Sequence, residues 1–337
     1  MKLTVIIPVY NGSQHIIRCL ESVFHQTFQD FQVLCFDDGS QDHSAEVIRQ
    51  YAEEYPEYRL TLIRQENKGV AETRNEGIKR ADTEYTAFID QDDYIDRTYF
   101  EEYIRAMEDS RADIVCGGYV RYDTERHRVL RKVSLKEDEW APFVVSAPWA
   151  HLYRTSFLQS NNIRYLKTAI GEDVYFSLMA YAHTDKIRTI PNTGYYWVDN
   201  PKSHSNSNQK QIRKEIDPFI LLNALRRDLP ETNRIRPELL QYYIYRYIVW
   251  YLLFTVRNTP AKTIEEQYGK LIQWLKDYYP GFDRNKLISL CGPVGEPFGI
   301  RLSVWGFTRM YRIGLMPGAL TLLARRSSET EAREDAK

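Results

Sequence analysis

The first 120 residues alternate between short apolar runs of strand length and helical periods, joined by loops of a few residues, and few architectures accept that rhythm. Leu3 to Val9 reads as a buried strand that stops at the turn Asn11-Gly12-Ser13, where Ser13 can cap the next helix. Ile16, Ile17, Leu20, Val23 and Phe24 then recur at helical spacing. The pattern repeats with a strand at Phe31 to Phe36, a helix at Ser40 to Tyr55, a strand at Leu60 to Arg64 and a helix at Val70 to Ala81. A strand at Tyr85 to Ile89, a helix near Asp96 to Met107 and a strand at Asp113 to Tyr119 follow. Strands taking turns with helices on short connections predict an α/β fold, a mostly parallel sheet flanked by helices on both faces. Ligands of such sheets bind at the carboxyl ends of the strands.

The rest of the chain is patterned differently. Residues 121–146 are charged and weakly periodic, which suggests a hairpin or a loop over the site. Pro148 to Asn200 holds a strand-like Trp149 to Tyr153, a helix opening at Glu172-Asp173 and a strand at Gly194 to Val198. Asp199 to Gln209, DNPKSHSNSNQ, reads as a linker or a mobile loop. Residues 211–325 look helical, and SSETEAREDAK looks like a solvated, flexible tail over 327–337.

Composition narrows the class. With 45 basic against 46 acidic side chains and 43% hydrophobic residues, neither a disordered chain nor a nucleic-acid-coating protein fits. Cys19, Cys35, Cys116 and Cys291 show no CxxC or zinc spacing and read as buried reduced thiols of a cytoplasmic protein. The apolar run in MKLTVIIPVYNG is too short for a signal peptide and is read as a strand. The unusual quantity is aromatic: 25 Tyr, 14 Phe and 6 Trp need a place to go.

Carboxylates collect where the sheet is expected to end. Asp37-Asp38 follow the second strand; turn caps of this kind are common. Asp90-Gln91-Asp92-Asp93 follow an apolar strand, and three acids so close repel one another unless water, a cation or a cationic partner neutralises them. Hard oxygen ligands suit Mg²⁺ or Mn²⁺ with phosphate oxygens completing the shell. Neither GxxxxGK[ST] nor GxGxxG is present, which weighs against the usual triphosphate and dinucleotide loops.

Six segments in order then carry a resemblance. TVIIPVYNG (Thr4 to Gly12), FDDGSQD (Phe36 to Asp42), ENKGVAETRNEGI (Glu66 to Ile78) and FIDQDD (Phe88 to Asp93) resemble the nucleotide-sugar-binding half of glycosyltransferase family 2, with its GT-A fold. PWAHLYRTSFL (Pro148 to Leu158) and GEDVYF (Gly171 to Phe176) resemble its acceptor-side motifs. The resemblance implies a catalytic domain over 1–205, with 1–120 as the nucleotide-sugar half and 121–205 as the acceptor and base half, followed by a helical region over 206–326. It implies a metal-dependent inverting transfer from a nucleotide-diphosphate sugar, UDP-linked, to a glycan or lipid-linked acceptor in surface-polysaccharide synthesis. A sugar-nucleotide-binding protein without transfer and a sugar nucleotidyltransferase are the other readings; intact Asp92 and Asp173 argue against the first, and a missing glycine- and basic-rich N-terminal loop against the second.

The same resemblance assigns roles. Pro8, Val9 and Tyr10 match the segment packed on the nucleobase, Asp38 the acceptor of a base N–H, and Lys68 and Arg74 cations near the diphosphate and sugar. Asp90, Gln91 and Asp92 form the DXD motif, with Asp92 as direct metal ligand and Asp90 on the ribose or on the metal through water; Asp93 is free to cap the following helix. In the ED pair, Asp173 matches the base, and Glu172 is either the runner-up base or the residue that orients it, a pairing whose bland alternative is stabilisation of a helix start. Trp149 matches a position lining the sugar pocket or, equally, a core site. One departure stands out: where the family carries Tyr-Arg and then Ser-x-Ser, this chain has Tyr196-Trp197-Val198 and Ser203-His204-Ser205. Lys202 or His204 would then replace the missing arginine, and His204 could complete the metal shell.

Beyond these motifs, YYIYRYIVWYLLF (Tyr242 to Phe254) is too short and interrupted for a membrane span and reads as a buried helix. Residues 300–326 mix aromatic and leucine residues with arginines, as an interfacial helix pair on an anionic membrane would. That places the protein in the cytoplasm, peripheral to the inner face of the membrane; a homodimer contact or a plain helical cap is the alternative.

Overall fold

The computed structural model describes residues 1–199, 212, 216–255 and 259–324. The expected linker, the residues Lys202 to Ser205 and the tail at 327–337 lie outside the described residues. Residues up to Asp199 together with Ala224–Arg234 form one compact unit, and the other described residues form a second.

The first unit is built on β1 (Leu3–Val9), α1 (Ile16–Phe24), β2 (Phe31–Asp38), α2 (Ser44–Glu54), β3 (Leu60–Gln65), α3 (Val70–Arg80) and β4 (Tyr85–Phe88). It continues through β5 (Tyr94–Ile95), α4 (Tyr99–Ser110), β6 (Ile114–Cys116), β7 (Tyr119–Asp123), β8 (Arg128–Val133), β9 (His151–Arg154), α5 (Thr155–Ser160), α6 (Glu172–His183), β10 (Ile187–Thr189) and β11 (Tyr195–Val198). Seven strands form the main sheet in the order β10-β6-β9-β4-β1-β2-β3. Every pairing is parallel except the two made by β9, so the sheet is mostly parallel as the alternation predicted. Leu3, Val5, Ile6, Ile7, Val33, Cys35 and Phe36 are fully buried, which is why β1 and β2 read as continuous apolar runs.

A second sheet, β5-β11-β7-β8, stands apart from the first. The single strand expected over Asp113 to Tyr119 divides between the two sheets at Gly117-Gly118. There a Cβ on residue 117 would lie 1.9 Å from the Tyr103 hydroxyl, and one on residue 118 would lie 1.9 Å from the Val133 carbonyl. The charged stretch after it does form a hairpin, β7 with β8. Ser13 does not cap α1; His15 occupies that position, and the Ser13 N–H instead bonds Asp42. Three of the cysteines are buried, whereas Cys291 is exposed, against the expectation for all four.

The second unit contains α8 (Pro237–Thr255), α9 (Ala261–Tyr278), α10 (Phe298–Arg312) and a further helix over 316–324. The helix α7 (Pro218–Asp228) is shared, residues 218–223 belonging to the second unit and 224–228 to the first. The aromatic surplus is mostly core: Tyr242, Tyr243, Tyr245 and Tyr251 of α8 are among the largest fully buried side chains, as are Tyr85, Tyr99, Tyr103, Tyr153 and Tyr195 of the first unit. Among the described residues no helix is long and apolar enough to cross a membrane.

Candidate active site

Parallel register brings three strand ends side by side: Val9 faces Asp37 across β1 and β2, and Ile6 faces Phe88 across β1 and β4. The loops beyond them therefore share one edge of the sheet. Pro8 and Val9 are buried within β1, while the Tyr10 side chain just past the strand is 39% exposed. Gln91 ties this loop to the acidic turn: the Tyr10 N–H donates to its Oε1 at 2.9 Å, and its Nε2 donates to the Tyr10 carbonyl at 3.0 Å. Gly12 makes room for that amide, since a Cβ there would stand 2.1 Å from Gln91 Oε1.

Asp38 is buried at the end of β2. Its carboxylate accepts from the Lys68 and Gly69 backbone amides at 2.9 and 2.8 Å and from Gln65 Nε2 at 2.7 Å, which fixes the entry to α3. Asp37 accepts from the Ser40 amide and from Arg64 Nε, both at 3.1 Å. Lys68 itself is exposed and enters the site through its backbone. In the neighbouring loop, burial works to raise Asp42, but the Ser44 hydroxyl and the Ser13 and Ser44 amides outweigh it and hold its carboxyl at about 2.

The chemically most telling group is Arg74. It lies on α3, is 3% exposed, and divides its guanidinium between Asp90 Oδ1, 2.6 Å from Nη2, and Asp173 Oδ1, 2.8 Å from Nη1. Burial opposes its charge, but Asp90 and Asp173 more than offset that and push its pKa up. Asp173 sits in the first turn of α6, behind Gly171 in left-handed backbone at φ 85°. Its burial, together with the charges of Glu172 and Asp90, outweighs the Arg74 cation and raises its carboxyl to about 8. A carboxyl poised near neutrality beside a cleft edge can both take and give a proton.

The remaining calls fall as follows. Asp92 presents its backbone carbonyl to Arg18 Nη2 at 2.5 Å and is half-buried. Asp93 does not cap α4: it is 1% exposed, accepts from the Tyr195 hydroxyl at 2.7 Å and the Val198 N–H at 2.8 Å, and is pushed up well above the carboxylate range by burial and by Asp92 and Asp90. Trp149 is buried, its ring stacked on Tyr195 at 4.6 Å and close to Tyr119 and Trp197. His204 lies outside the described residues. Asp90, Arg74 and Asp173 are thus joined directly, and Tyr10 with Gln91; Trp149 reaches the acidic turn only through the Tyr195 ring it stacks on.

Among the described residues no three His, Cys, Asp or Glu side chains gather at metal-ligand spacing. The donor set nonetheless fits a hard divalent cation, because Mg²⁺-type ions take one or two carboxylates and draw their other ligands from phosphate and water. Asp92 and Asp90 are such carboxylates.

Residues that sequence pattern did not single out complete the site. Tyr165 lies 5.3 Å under the Arg74 guanidinium and stacks on Phe176 at 4.1 Å. Tyr195 accepts the Asp90 N–H at 3.2 Å while donating to Asp93, so it braces the acidic turn. Arg18 lies on α1 off the stripe formed by Ile16, Cys19, Leu20, Val23 and Phe24, and no sequence signal marked it.

The mostly parallel central sheet flanked by helices is a GT-A fold. Two crystal structures of Staphylococcus aureus TarS 1-349 share the fold. One superposes with a TM-score of 0.64 at 20% identity, covering 93% of this chain and 92% of that one, and the other, in complex with UDP, with 0.63 at 21% and the same coverage. Glycosyltransferase GlyA of Streptococcus pneumoniae is 29% identical over 204 residues, which are 55% of this chain and 29% of GlyA. The uncharacterized glycosyltransferase EpsJ of Bacillus subtilis is 29% identical over 216 residues, 60% of this chain and 62% of EpsJ. The match spans less than two thirds of the length of either relative. The model of glycosyl transferase family 2 matches residues 4–170, and the chain belongs to that family.

Proposed function

We propose that this chain is a metal-dependent inverting glycosyltransferase of the hexosyl- or N-acetylhexosaminyltransferase class. It moves a sugar from a UDP-linked donor to a hydroxyl of a glycan or lipid-linked saccharide in surface-polysaccharide synthesis. The observation that carries the reading is the Arg74 guanidinium, which ties strand-end Asp90 to helix-borne Asp173. Support for the donor comes from family membership and from the UDP bound by TarS.

In this reading Tyr10 offers its exposed ring to the base. Pro8 and Val9 form the floor behind it. Asp38 has three of its acceptor positions in use; an ionised carboxylate has roughly four, so one remains for a base N–H. Asp92 and Asp90 would hold Mn²⁺ or Mg²⁺, which when bound neutralises negative charge on the leaving diphosphate. Asp173 takes the proton of the acceptor hydroxyl as that oxygen attacks the anomeric carbon from the face opposite the diphosphate, whose bond to the sugar breaks. Glu172 orients the base, Lys68 stays near the diphosphate, and Gln91 holds the Tyr10 loop. Trp149, packed on Tyr195, backs the sugar pocket.

Phe298, Leu302, Ile313, Leu315 and Leu322 are exposed apolar side chains in a segment that also carries Arg301 and Arg309, which supports a peripheral membrane contact for the second unit. The test of the central reading is thermal unfolding with UDP in Mn²⁺ or in chelator, followed by hydrolysis of a panel of nucleotide sugars. A UDP-induced rise in Tm that needs the metal, with turnover of one UDP-sugar, is expected. Equal shifts in metal and chelator would sink the metal-bridged diphosphate.

A further inference from the structure

The segment between α5 and α6 borders two cavities of the first unit. One, of about 420 Å³, lies against Tyr165, Lys167, Tyr175, His183 and Arg227. The other, of about 280 Å³, lies against Asn75, Lys79, Leu158 and Gln159. Asn162 and Arg164 line both, so the two are halves of one groove. The larger half falls within the size range of small-ligand sites.

The groove is cationic in a chain that is not. Across the sequence, basic and acidic side chains nearly balance. Lining the groove are Lys79, Arg164, Lys167 and Arg227, with Asp228 the sole carboxylate. That carboxylate is already engaged: Arg227 reaches its two oxygens at 2.7 and 2.8 Å, and the Tyr175 hydroxyl donates to Oδ2 at 2.8 Å. Elsewhere in this unit arginines such as Arg64, Arg80, Arg121, Arg154 and Arg188 have carboxylate partners. Among the described residues, Lys79, Arg164 and Lys167 form no ion pair with any protein carboxylate. Arg164 is held in place instead by Asn162, whose Oδ1 accepts from its Nε at 2.6 Å.

Two contacts tie the groove to the Arg74 guanidinium, which bonds both Asp173 and Asp90. The groove's wall residue Tyr165 is the ring under Arg74. Asn75 fixes that wall, donating to the Tyr165 carbonyl at 3.0 Å and accepting its N–H at 2.7 Å. The groove wall is therefore one side chain removed from the Arg74–Asp173 pair.

We propose that this groove binds the non-reacting part of the acceptor and that this acceptor is an anionic saccharide chain, carrying phosphate or carboxylate groups along its length. The proposal rests on the transferase reading and adds the chemical class of its acceptor. Arg164 supplies planar donors suited to an anion's oxygens, Lys79 and Lys167 supply point charges on either side, and the Asn162 and Tyr175 side chains flank the saccharide.

Titration of the purified full chain with three oligomers tests it: a short inorganic polyphosphate for the phosphate source, tetragalacturonate for the carboxylate source and maltotetraose as neutral control. Wild type should bind at least one anionic oligomer with salt-sensitive affinity and the neutral one no better than the variant does. The triple variant Lys79→Gln, Arg164→Gln, Lys167→Gln should lose on the order of tenfold in that affinity, while its UDP-induced Tm shift stays that of wild type. Unchanged binding by the triple variant, or no preference of wild type for either anionic oligomer, overturns the groove. Loss of the UDP shift in wild type would instead overturn the transferase reading.

Discussion

Arg74 Nη1 stands 2.8 Å from Asp173 Oδ1, a bond between residues 99 positions apart that joins α3 to the first turn of α6. Asp173 is thereby held in place by the same side chain that grips Asp90. An amide in its position keeps the shape and loses the proton acceptor. Asp173→Asn should therefore lower transfer by about 10³-fold and leave the UDP-induced Tm shift intact. Full activity in that variant would reassign the base.

The same pair sets a pH dependence. With its carboxyl raised to about 8, Asp173 is ionised in only a minor fraction of molecules at neutral pH. The kcat/KM should climb about tenfold per pH unit below that value and level off above it. Arg74 is the cation that opposes the rise, so Arg74→Gln should move the ascending limb to higher pH. The stability effect has a definite sign. Between the ordinary carboxyl value of 3.8 and about 8 the folded chain keeps a proton that the unfolded chain has released. Tm should thus fall as pH rises through this window, and Asp173→Asn should flatten that fall. A rate profile level from pH 6 to 9 contradicts the assignment.

Gly77 sets the approach of α3 to the sheet. A Cβ there would lie 2.6 Å from Ile6 Cγ2 and 2.9 Å from its Cδ1, both within the fully buried core of β1. Gly77→Ala gains helix propensity but must push the helix off the strand, and overpacking of this kind costs about 1–3 kcal/mol. Because Arg74 lies one turn earlier on the same helix, activity should drop beyond what the loss of stability explains. Urea unfolding and steady-state rates on one preparation separate the two effects.

Much of this was legible in the sequence for a physical reason. Alternating periods report burial directly, so β1 to β4 and the helices between them could be read in order and to within a few residues at their ends, and the acids at Asp38, Asp90 and Asp173 stood near the expected strand and helix ends. What stayed hidden depends on contacts distant in sequence. The buried Asp93 looked like one more turn acid, since nothing local reveals that Tyr195 and Val198 approach it from β11. Tyr165 lay in a segment without periodicity, and its role appears only once Asn75 and Phe176 fix it beneath Arg74. Trp149 matched a sugar-pocket position or a core site equally, and only the fold reveals that its ring stacks on Tyr195 of β11.

The single charge within the aromatic run of α8 illustrates the same point in the second unit. Arg246 interrupts YYIYRYIVWYLLF and meets both oxygens of Glu296, at 3.0 and 3.1 Å, with the Glu296 side chain wholly buried. The guanidinium also lies 4.6 Å over the Tyr243 ring. Removing one member strands the other charge away from water, so Glu296→Ala should cost about 3–5 kcal/mol. Replacing both by apolar residues of similar volume, Arg246→Met with Glu296→Leu, avoids that penalty and should fall within about 1 kcal/mol of the parent, the loss of the cation–π contact included. Guanidinium unfolding of the four chains forms the double-mutant cycle. If the double variant is as unstable as the single one, the pair is a genuine source of stability and not merely a compensated burial.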